Sequence, residues 1–344
     1  MSGVGVIGAG YWGPNLIRNF VIGGAFEQVF VCDKDAKRLN SVCKQIPGIR
    51  GCADAEELLA NPAVEAIAIA TPVRTHFELA KAALEHGKHV LIEKPMTYNS
   101  REAEELITLA ASKRRMLMVD HTFLFTGAVE KMREIVKSGD LGRCYYIDSV
   151  RVNLGLFQHD VDVIWDLAPH DLSIIAYVLS AHPRLVRAIG HSNAGQGMVD
   201  VAYLNIEYHE GFSANFHVNW LSPTKIRRMI VAGSKRMILW DDMEAEGKLR
   251  VYDKGVELKQ IDAEDRSKIQ VEYRLGDVWL PRLDTTEALL KMTAHFADCC
   301  RGQATPICGG EEGLDVVRVL EASQISLENG SRAVAIDNGQ LVPM

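Results

Sequence analysis

The sequence predicts an α/β chain in two parts: a doubly wound parallel sheet at the N-terminus, then an α+β domain with a large, open, mostly antiparallel sheet. Three observations predict it. Up to about residue 120, short β-branched runs alternate with helical ones, as βαβ units on a parallel sheet require. Beyond that the runs lengthen and alternate apolar with polar, joined by short turns such as His209-Glu210-Gly211. A glycine turn, Gly8-Ala9-Gly10-Tyr11-Trp12-Gly13, sits between the first strand and the first helix. A chain of 344 residues favours two cores over one. The domains are expected at 1–122 and 123–344.

Residues Gly3–Ile7 form the first strand, and the following amphipathic helix carries Leu16, Ile17 and Phe20. Segment 29–32 is the second strand and 66–70 the third or fourth. A helix at 75–86 stops at Gly87, and 89–92 is the next strand. Residues Ser100–Lys113 are helical with Ser100 as the N-cap, and 116–119 is the sixth strand. A helix at 128–137 ends in Ser138-Gly139-Asp140. Strands at 145–154, 185–191, 199–208, 212–220, 228–232 and 237–240 build the second sheet, interrupted by a helix at 169–179. Helices at 285–301 and 311–329 close the chain and are free to pack back on the first domain.

Composition narrows the function. With 47% hydrophobic and 24% charged residues the chain reads as an ordinary globular protein, and a net charge of -7 argues against a nucleic-acid backbone as partner. No stretch approaches the roughly 20 apolar residues needed to span a bilayer, so no membrane partner is expected. The seven cysteines show no CxxC or zinc-ribbon spacing. They read as reduced residues of a cytoplasmic protein, with no metal site expected.

The glycine turn gains meaning from its place after a strand and before a helix. Gly8 permits the tight turn, Gly10 lets backbone approach a pyrophosphate, and Gly13 lets helix and strand pack closely. The helix N-terminus offers unpaired N–H groups to the phosphates. Tyr11 and Trp12 shield that turn or staple it to the second domain. Asp33 closes the second strand, where a carboxylate binds both ribose hydroxyls and repels a 2′-phosphate, favouring NAD over NADP. Lys34 and Arg38 lie close enough to soften that preference.

Lys94 closes another strand. Ligands of open α/β sheets sit beyond the carboxyl ends of strands, and an amine there can orient a substrate hydroxyl and stabilise a developing alkoxide. Asp166 and His170 are four residues apart, so they share a face if that turn is helical. Histidine suits proton transfer near neutral pH. His170 is therefore the candidate base and Lys94 its cationic assistant, although the two roles can be exchanged.

The stretches Ala70-Thr71-Pro72…His76 and Gly87-Lys88-His89-Val90-Leu91-Ile92-Glu93-Lys94-Pro95, with Asp166…His170 and Gly310-Glu311-Glu312-Gly313-Leu314, resemble the Gfo/Idh/MocA oxidoreductase family. The resemblance implies a Rossmann cofactor domain whose fifth strand ends in Glu-Lys-Pro, often with a cis bond before the proline. It also implies that Glu93 reaches a nicotinamide-ribose hydroxyl and that Thr71, Pro72 and His76 line the cofactor. Two departures are visible. Ala168 replaces a glycine of the family pattern, and Ser173 replaces its last aspartate, while another acid, Asp171, follows His170.

The family acts on polyols, sugars and nucleotide sugars. The segments Gly10–Asn15 and Trp165–Asp171 resemble members that oxidise the 3-hydroxyl of UDP-N-acetylglucosamine. Polar residues Arg151, Asn153 and Gln158, with His121 after the sixth strand, are candidate substrate contacts. The basic cluster Lys225-Ile226-Arg227-Arg228 is either a diphosphate clamp or a solvated turn. The expected activity is NAD-dependent oxidation of a nucleotide-linked amino sugar to a 3-keto sugar. A free-polyol or inositol dehydrogenase, a 3-ketoreductase and a non-catalytic NAD-binding regulator are the alternatives. Apolar positions along 199–208, and Ala214, Phe216 and Val218 taken as the opposite face, predict a homodimer or homotetramer.

Overall fold

In a computed structural model, residues 2–155, 157–158, 160–195, 197–260, 269–337 and 339–344 are described. The first half contains β1 (Gly3–Ile7), α1 (Gly13–Gly23), β2 (Gln28–Cys32), α2 (Ala36–Gln45), β3 (Arg50–Cys52), α3 (Ala55–Ala60) and β4 (Val64–Ile69). It continues with α4 (His76–Glu85), β5 (His89–Glu93), α5 (Ser100–Lys113) and β6 (Leu117–Asp120). Then come α6 (Gly127–Lys137), β7 (Cys144–Leu154), α7 (Val163–Leu179), β8 (Pro183–His191), β9 (Val201–Tyr208), β10 (Ser213–Asn219) and β11 (Leu221–Gly233). The chain ends with β12 (Met237–Asp241), β13 (Leu249–Gln260), β14 (Ile269–Trp279), α8 (Ala288–Cys300), α9 (Gly310–Glu328), β15 (Val334–Asp337) and β16 (Gln340–Pro343).

These elements form two compact units. Unit 1 is Met1–Thr126, Leu172–Ile174 and Thr285–Glu321; unit 2 is Gly127–Asp171, Ile175–Asp284 and Ala322–Met344. Unit 1 is thus discontinuous, where the sequence placed a single boundary at 122/123. Aromatic packing explains part of this: Phe296 of α8 meets Phe20 of α1 edge-on at 6.4 Å and Phe26 at 6.3 Å. Asn19 also donates to Glu287 at 3.0 Å, beside an Arg18–Glu287 ion pair. The Cys308 carbonyl accepts the Val119 N–H at 3.0 Å, covering the outer edge of β6.

The sheet of unit 1 is parallel throughout, in the order β3-β2-β1-β4-β5-β6. Its central strands β1 and β4 are buried almost throughout, which is why they read as nearly continuous apolar runs, with Glu65 the one charged residue in them. The order reverses between β1 and β4, so the carboxyl ends of the strands open a crevice there. The cap of α5 is Asn99, whose side chain accepts the Glu102 amide at 2.9 Å. Ser100, expected as the cap, is the first helical residue, because asparagine one position earlier already satisfies an orphan amide.

Unit 2 holds a ten-stranded sheet, β14-β13-β12-β11-β7-β10-β9-β8-β15-β16, antiparallel except between β7 and β10. Three expectations change here. Helix α7 starts at Val163, not at 169, because the Asp162 carboxylate caps it by accepting the Ile164 and Trp165 amides at 2.9 and 3.1 Å. Pro169, taken as a helix-opening proline, lies inside it. Strand β11 spans Leu221–Gly233, so the 225–228 cluster is strand and not turn. Strands β13 to β16 had no clear apolar alternation to reveal them; β13 mixes Lys254, Gly255, Glu257 and Lys259 into its length.

The two-faced apolar sheet is a further correction. Phe216 pairs directly with Leu204, Ala214 with Ile206 and Val218 with Ala202. Directly opposed residues share a face, so all six lie on one buried side. The opposite side of these strands is largely polar. Asn205 donates to Asn215, Asn215 donates to Asp148, and Tyr203 stacks on His217 at 4.5 Å.

Candidate active site

In unit 1 the glycine turn has the shape a dinucleotide needs. Gly8 has φ +102°, and a Cβ there would stand 2.5 Å from the Ala70 carbonyl oxygen. A Cβ on Gly13 would meet the Gly8 carbonyl oxygen at 2.0 Å. Both positions therefore exclude any side chain. At Gly10 the nearest atom would be an Arg38 nitrogen at 3.7 Å, which leaves the backbone open to a bound group. The turn leads into α1, whose first turn carries Pro14. These residues fit a dinucleotide: an open backbone cradle at a helix N-terminus, with a carboxylate at the end of the next strand.

That carboxylate is Asp33. Its Oδ2 accepts the Ala9 amide at 2.7 Å and its Oδ1 the Asp35 amide at 2.8 Å, tying β2 to the glycine turn. Each oxygen retains a lone pair for a further donor. Arg38 is exposed and paired with Asp35 at 3.5 Å. Tyr11 is 85% exposed, whereas Trp12 is partly buried and donates its indole Nε1–H to Asp120 Oδ2 at 2.9 Å.

Glu93 and Lys94 follow from the end of β5, and the Lys94–Pro95 bond is cis. His76, 1% exposed, places Nδ1 3.0 Å from the Pro95 carbonyl oxygen and Nε2 2.8 Å from that of Thr71. It braces the turn behind Lys94 against the end of β4. Thr71 also accepts the Thr75 hydroxyl at 2.7 Å, and Pro72 is exposed. His121 is buried, and neither ring nitrogen has a hydrogen-bond partner among the described residues. Burial first, then the neighbouring Lys94 charge, push its pKa down to about 3, so the imidazole is neutral.

In unit 2, Asp166 and His170 both lie within α7, one helical turn apart on the same face. Trp220 donates its indole Nε1–H to Asp166 Oδ2 at 3.0 Å, and Phe157 packs against that indole at 5.2 Å. Asp171 is one residue beyond His170 and therefore points elsewhere. It forms a two-armed pair with Arg151, Nε to Oδ2 at 2.9 Å and Nη2 to Oδ1 at 2.6 Å, with side chains only 4% and 3% exposed. The Asn153 Oδ1 is buried with no partner among the described residues, and Gln158 is partly exposed.

Alternation along β11 splits the basic cluster. Lys225 is exposed, and Arg227 pairs with Asp242 at 3.4 Å directly across from Arg151 in the β7–β11 register. Burial and then the adjacent Arg151 lower the Arg227 pKa, with Asp242 opposing. Arg228 projects to the other face.

The Arg151–Asp171 pair supports a stability prediction. Asp171→Ala removes the two-armed carboxylate partner of a buried guanidinium and is expected to cost about 3–5 kcal/mol. The double substitution Arg151→Met with Asp171→Leu should cost less, because neither residue then carries charge. Urea unfolding followed by tryptophan fluorescence checks both.

Sequence reasoning missed Asp120 and Trp220 as partners of site residues. The strand-end rule that exposed Lys94 would have found Asp120, the last residue of β6. Nothing local marks Trp220, whose meeting with Asp166 depends on how β10 and β11 run beside α7.

A sheet ordered 3-2-1-4-5-6 with this glycine turn defines the dinucleotide-binding Rossmann class. Residues 2–121 match the family described as oxidoreductase family, NAD-binding Rossmann fold, and residues 129–239 match the GFO/IDH/MocA C-terminal domain. The chain belongs to the Gfo/Idh/MocA oxidoreductase family; it is an enzyme acting on CH–OH groups, with an NAD-binding Rossmann domain. It is 30% identical to UDP-N-acetylglucosamine 3-dehydrogenase of Acidithiobacillus ferrooxidans over 73% of this chain and 77% of that protein. A solved structure of that enzyme superposes with a TM-score of 0.77 at 25% identity, covering 96% of this chain and 99% of the other. A 1,5-anhydro-D-fructose reductase from Ensifer adhaerens is 28% identical over 63% of this chain and 69% of its own length.

Proposed function

We propose that the protein oxidises the 3-hydroxyl of a nucleotide-linked amino sugar, UDP-N-acetylglucosamine or a close relative, to a 3-keto sugar, with NAD as the hydride acceptor. The observation that carries this reading is the similarity to UDP-N-acetylglucosamine 3-dehydrogenase across most of both chains. When bound, the nicotinamide accepts the hydride from the sugar carbon. The chain must then remove one proton and steady one developing negative charge. His170 takes the hydroxyl proton, and Asp166, held by the Trp220 indole, orients the imidazole or a neighbouring sugar hydroxyl. Lys94 stabilises the developing alkoxide with its ammonium group. Asn153 and Gln158 bind sugar hydroxyls, and Lys225 with Arg227 meets the diphosphate.

Asp33 sets the cofactor preference. Its carboxylate is fixed by the Ala9 and Asp35 amides where a ribose is expected, and a 2′-phosphate there would face a like charge. Asp33→Ser is expected to raise kcat/KM for NADP by at least about tenfold while lowering it for NAD. Steady-state kinetics with both cofactors checks this.

The same reading places the protein in a reducing cytoplasm, consistent with cysteines that are all unpaired, and assembles it as a homodimer or homotetramer. Exposed Ile189 (52%) and Tyr203 (50%) on the outer side of the second sheet motivate the assembly, which sedimentation tests directly. The substrate is tested by following NAD reduction with UDP-N-acetylglucosamine and with inositol. Turnover of the first and not the second supports the reading; turnover of inositol alone defeats it.

A further inference from the structure

Trp12 belongs to the glycine turn after β1, yet its indole N–H is donated to Asp120 Oδ2, at the end of β6, at 2.9 Å. In the order β1-β4-β5-β6 those two strands stand three spacings apart, about 14 Å at roughly 4.8 Å per spacing. The turn and the indole together therefore reach past the ends of β4 and β5. Register sets the level at which they cross. Asp120 pairs with Glu93, the last residue of β5, so the bond lies at the terminal row of the sheet.

Two neighbours hold this path. A Cβ on Gly13, the residue after Trp12, would lie 2.0 Å from the Gly8 carbonyl oxygen and 3.9 Å from the Ala70 Cβ, so the turn already stands beside the end of β4. At the far end Asp120 is buried, and its Oδ1 accepts the Thr122 hydroxyl at 2.5 Å, which fixes the carboxyl group that receives the indole.

The sheet assigns a part of the cofactor to this position. A sheet of this order consists of two mononucleotide-binding halves. Asp33, just past β2, marks the adenosine half, and β4, β5 and β6 form the half that takes the nicotinamide end. The backbone of Trp12 stays with the pyrophosphate turn, while its side chain enters the nicotinamide half. With its N–H tied to Asp120, the indole keeps its apolar faces for a planar ring. A ring held in place in advance also loses less freedom when the ligand arrives.

We propose that Trp12, stationed by Asp120, packs its indole against the nicotinamide ring and supplies affinity for that end of the cofactor alone. This deepens the proposed function, and it rests on the binding of a nicotinamide dinucleotide and not on the identity of the sugar. Trp12 is then a cofactor-binding residue and Asp120 a positioning residue that acts through it.

Calorimetric titration of the full chain with NADH and with ADP-ribose, which lacks the nicotinamide ring, tests this without any sugar. Trp12→Leu and Asp120→Leu are each expected to weaken NADH binding about five- to tenfold and ADP-ribose binding by less than about twofold. Asp120→Asn keeps an acceptor oxygen for the indole and should retain NADH affinity within about twofold. The double variant Trp12→Leu with Asp120→Leu should lose no more than either single one, because the acid acts through the ring. If Asp120→Leu fails to fold, Trp12→Leu at its partly exposed position still decides between the two ligands. Equal weakening of NADH and ADP-ribose would overturn the proposal and make Trp12 a support of the turn. Unchanged NADH affinity in Trp12→Leu, or additive losses in the double variant, would overturn it as well. Wild type that binds neither ligand would defeat the cofactor reading itself, and this proposal with it.

Discussion

Replacing Lys94 with alanine is expected to lower kcat by about 10²–10³-fold while NADH affinity stays within about threefold, because in the proposed mechanism the lost group acts on charge that exists only in the transition state. The ammonium group stands at the carboxyl end of β5, on a turn braced by His76 through the Thr71 and Pro95 carbonyl oxygens. The cofactor cradle is built from other parts of unit 1, chiefly the glycine turn and Asp33, so it should survive the substitution. Fluorescence titration with NADH, alongside steady-state turnover, separates the two effects. A chain that only sensed NAD would show no defect in either. A loss of NADH affinity as large as the loss of turnover would make Lys94 a structural or cofactor residue instead.

His170→Ala is the second large effect. Removal of a general base typically costs about 10²–10⁴-fold. The residual rate should rise with hydroxide concentration, since solvent must then take the hydroxyl proton. Substrate KM should change much less than kcat, because the interaction matters mainly as the proton leaves. A pH–rate profile of the variant that parallels wild type would assign the proton to another group. Lys94 is the first candidate, because the roles of the two residues are chemically exchangeable.

These residues differ in how far the sequence alone exposed them, and the reason is range. Gly8, Gly10, Gly13, Asp33 and Lys94 are marked by local context: a strand, a turn and a helix start within a few residues. Their spacing fixes position on a parallel sheet, and the parallel order of unit 1 follows from the same βαβ rhythm. Asp166 and His170 were legible as a spacing of four but not as a mid-helix pair, since Pro169 looked like a helix start. The Asp162 cap, upstream of it, decides the matter.

What stayed hidden depends on register between distant strands. Arg151 appeared as a free polar group on β7 and is in fact gripped by Asp171 of α7. The run Lys225–Arg228 appeared as one basic patch, but a strand sends alternate residues to opposite faces, and Arg227 has Asp242 beside it. The argument for two apolar faces failed for the same reason. Ala214, Phe216 and Val218 oppose the apolar residues of β9 directly, a pairing set by the turn between the strands and by the buried face itself. Such facts belong to the folded sheet and leave no mark within either strand alone.

The central claim, hydride transfer from the sugar C3 to NAD, is tested most directly by incubating the enzyme with NAD and UDP-N-acetylglucosamine deuterated at C3. Mass spectrometry of the reduced cofactor should then show NADH carrying one deuterium, together with a 3-keto nucleotide sugar that has lost it. Undeuterated NADH from that substrate, or no NADH from it while a free polyol reduces NAD, would contradict the account.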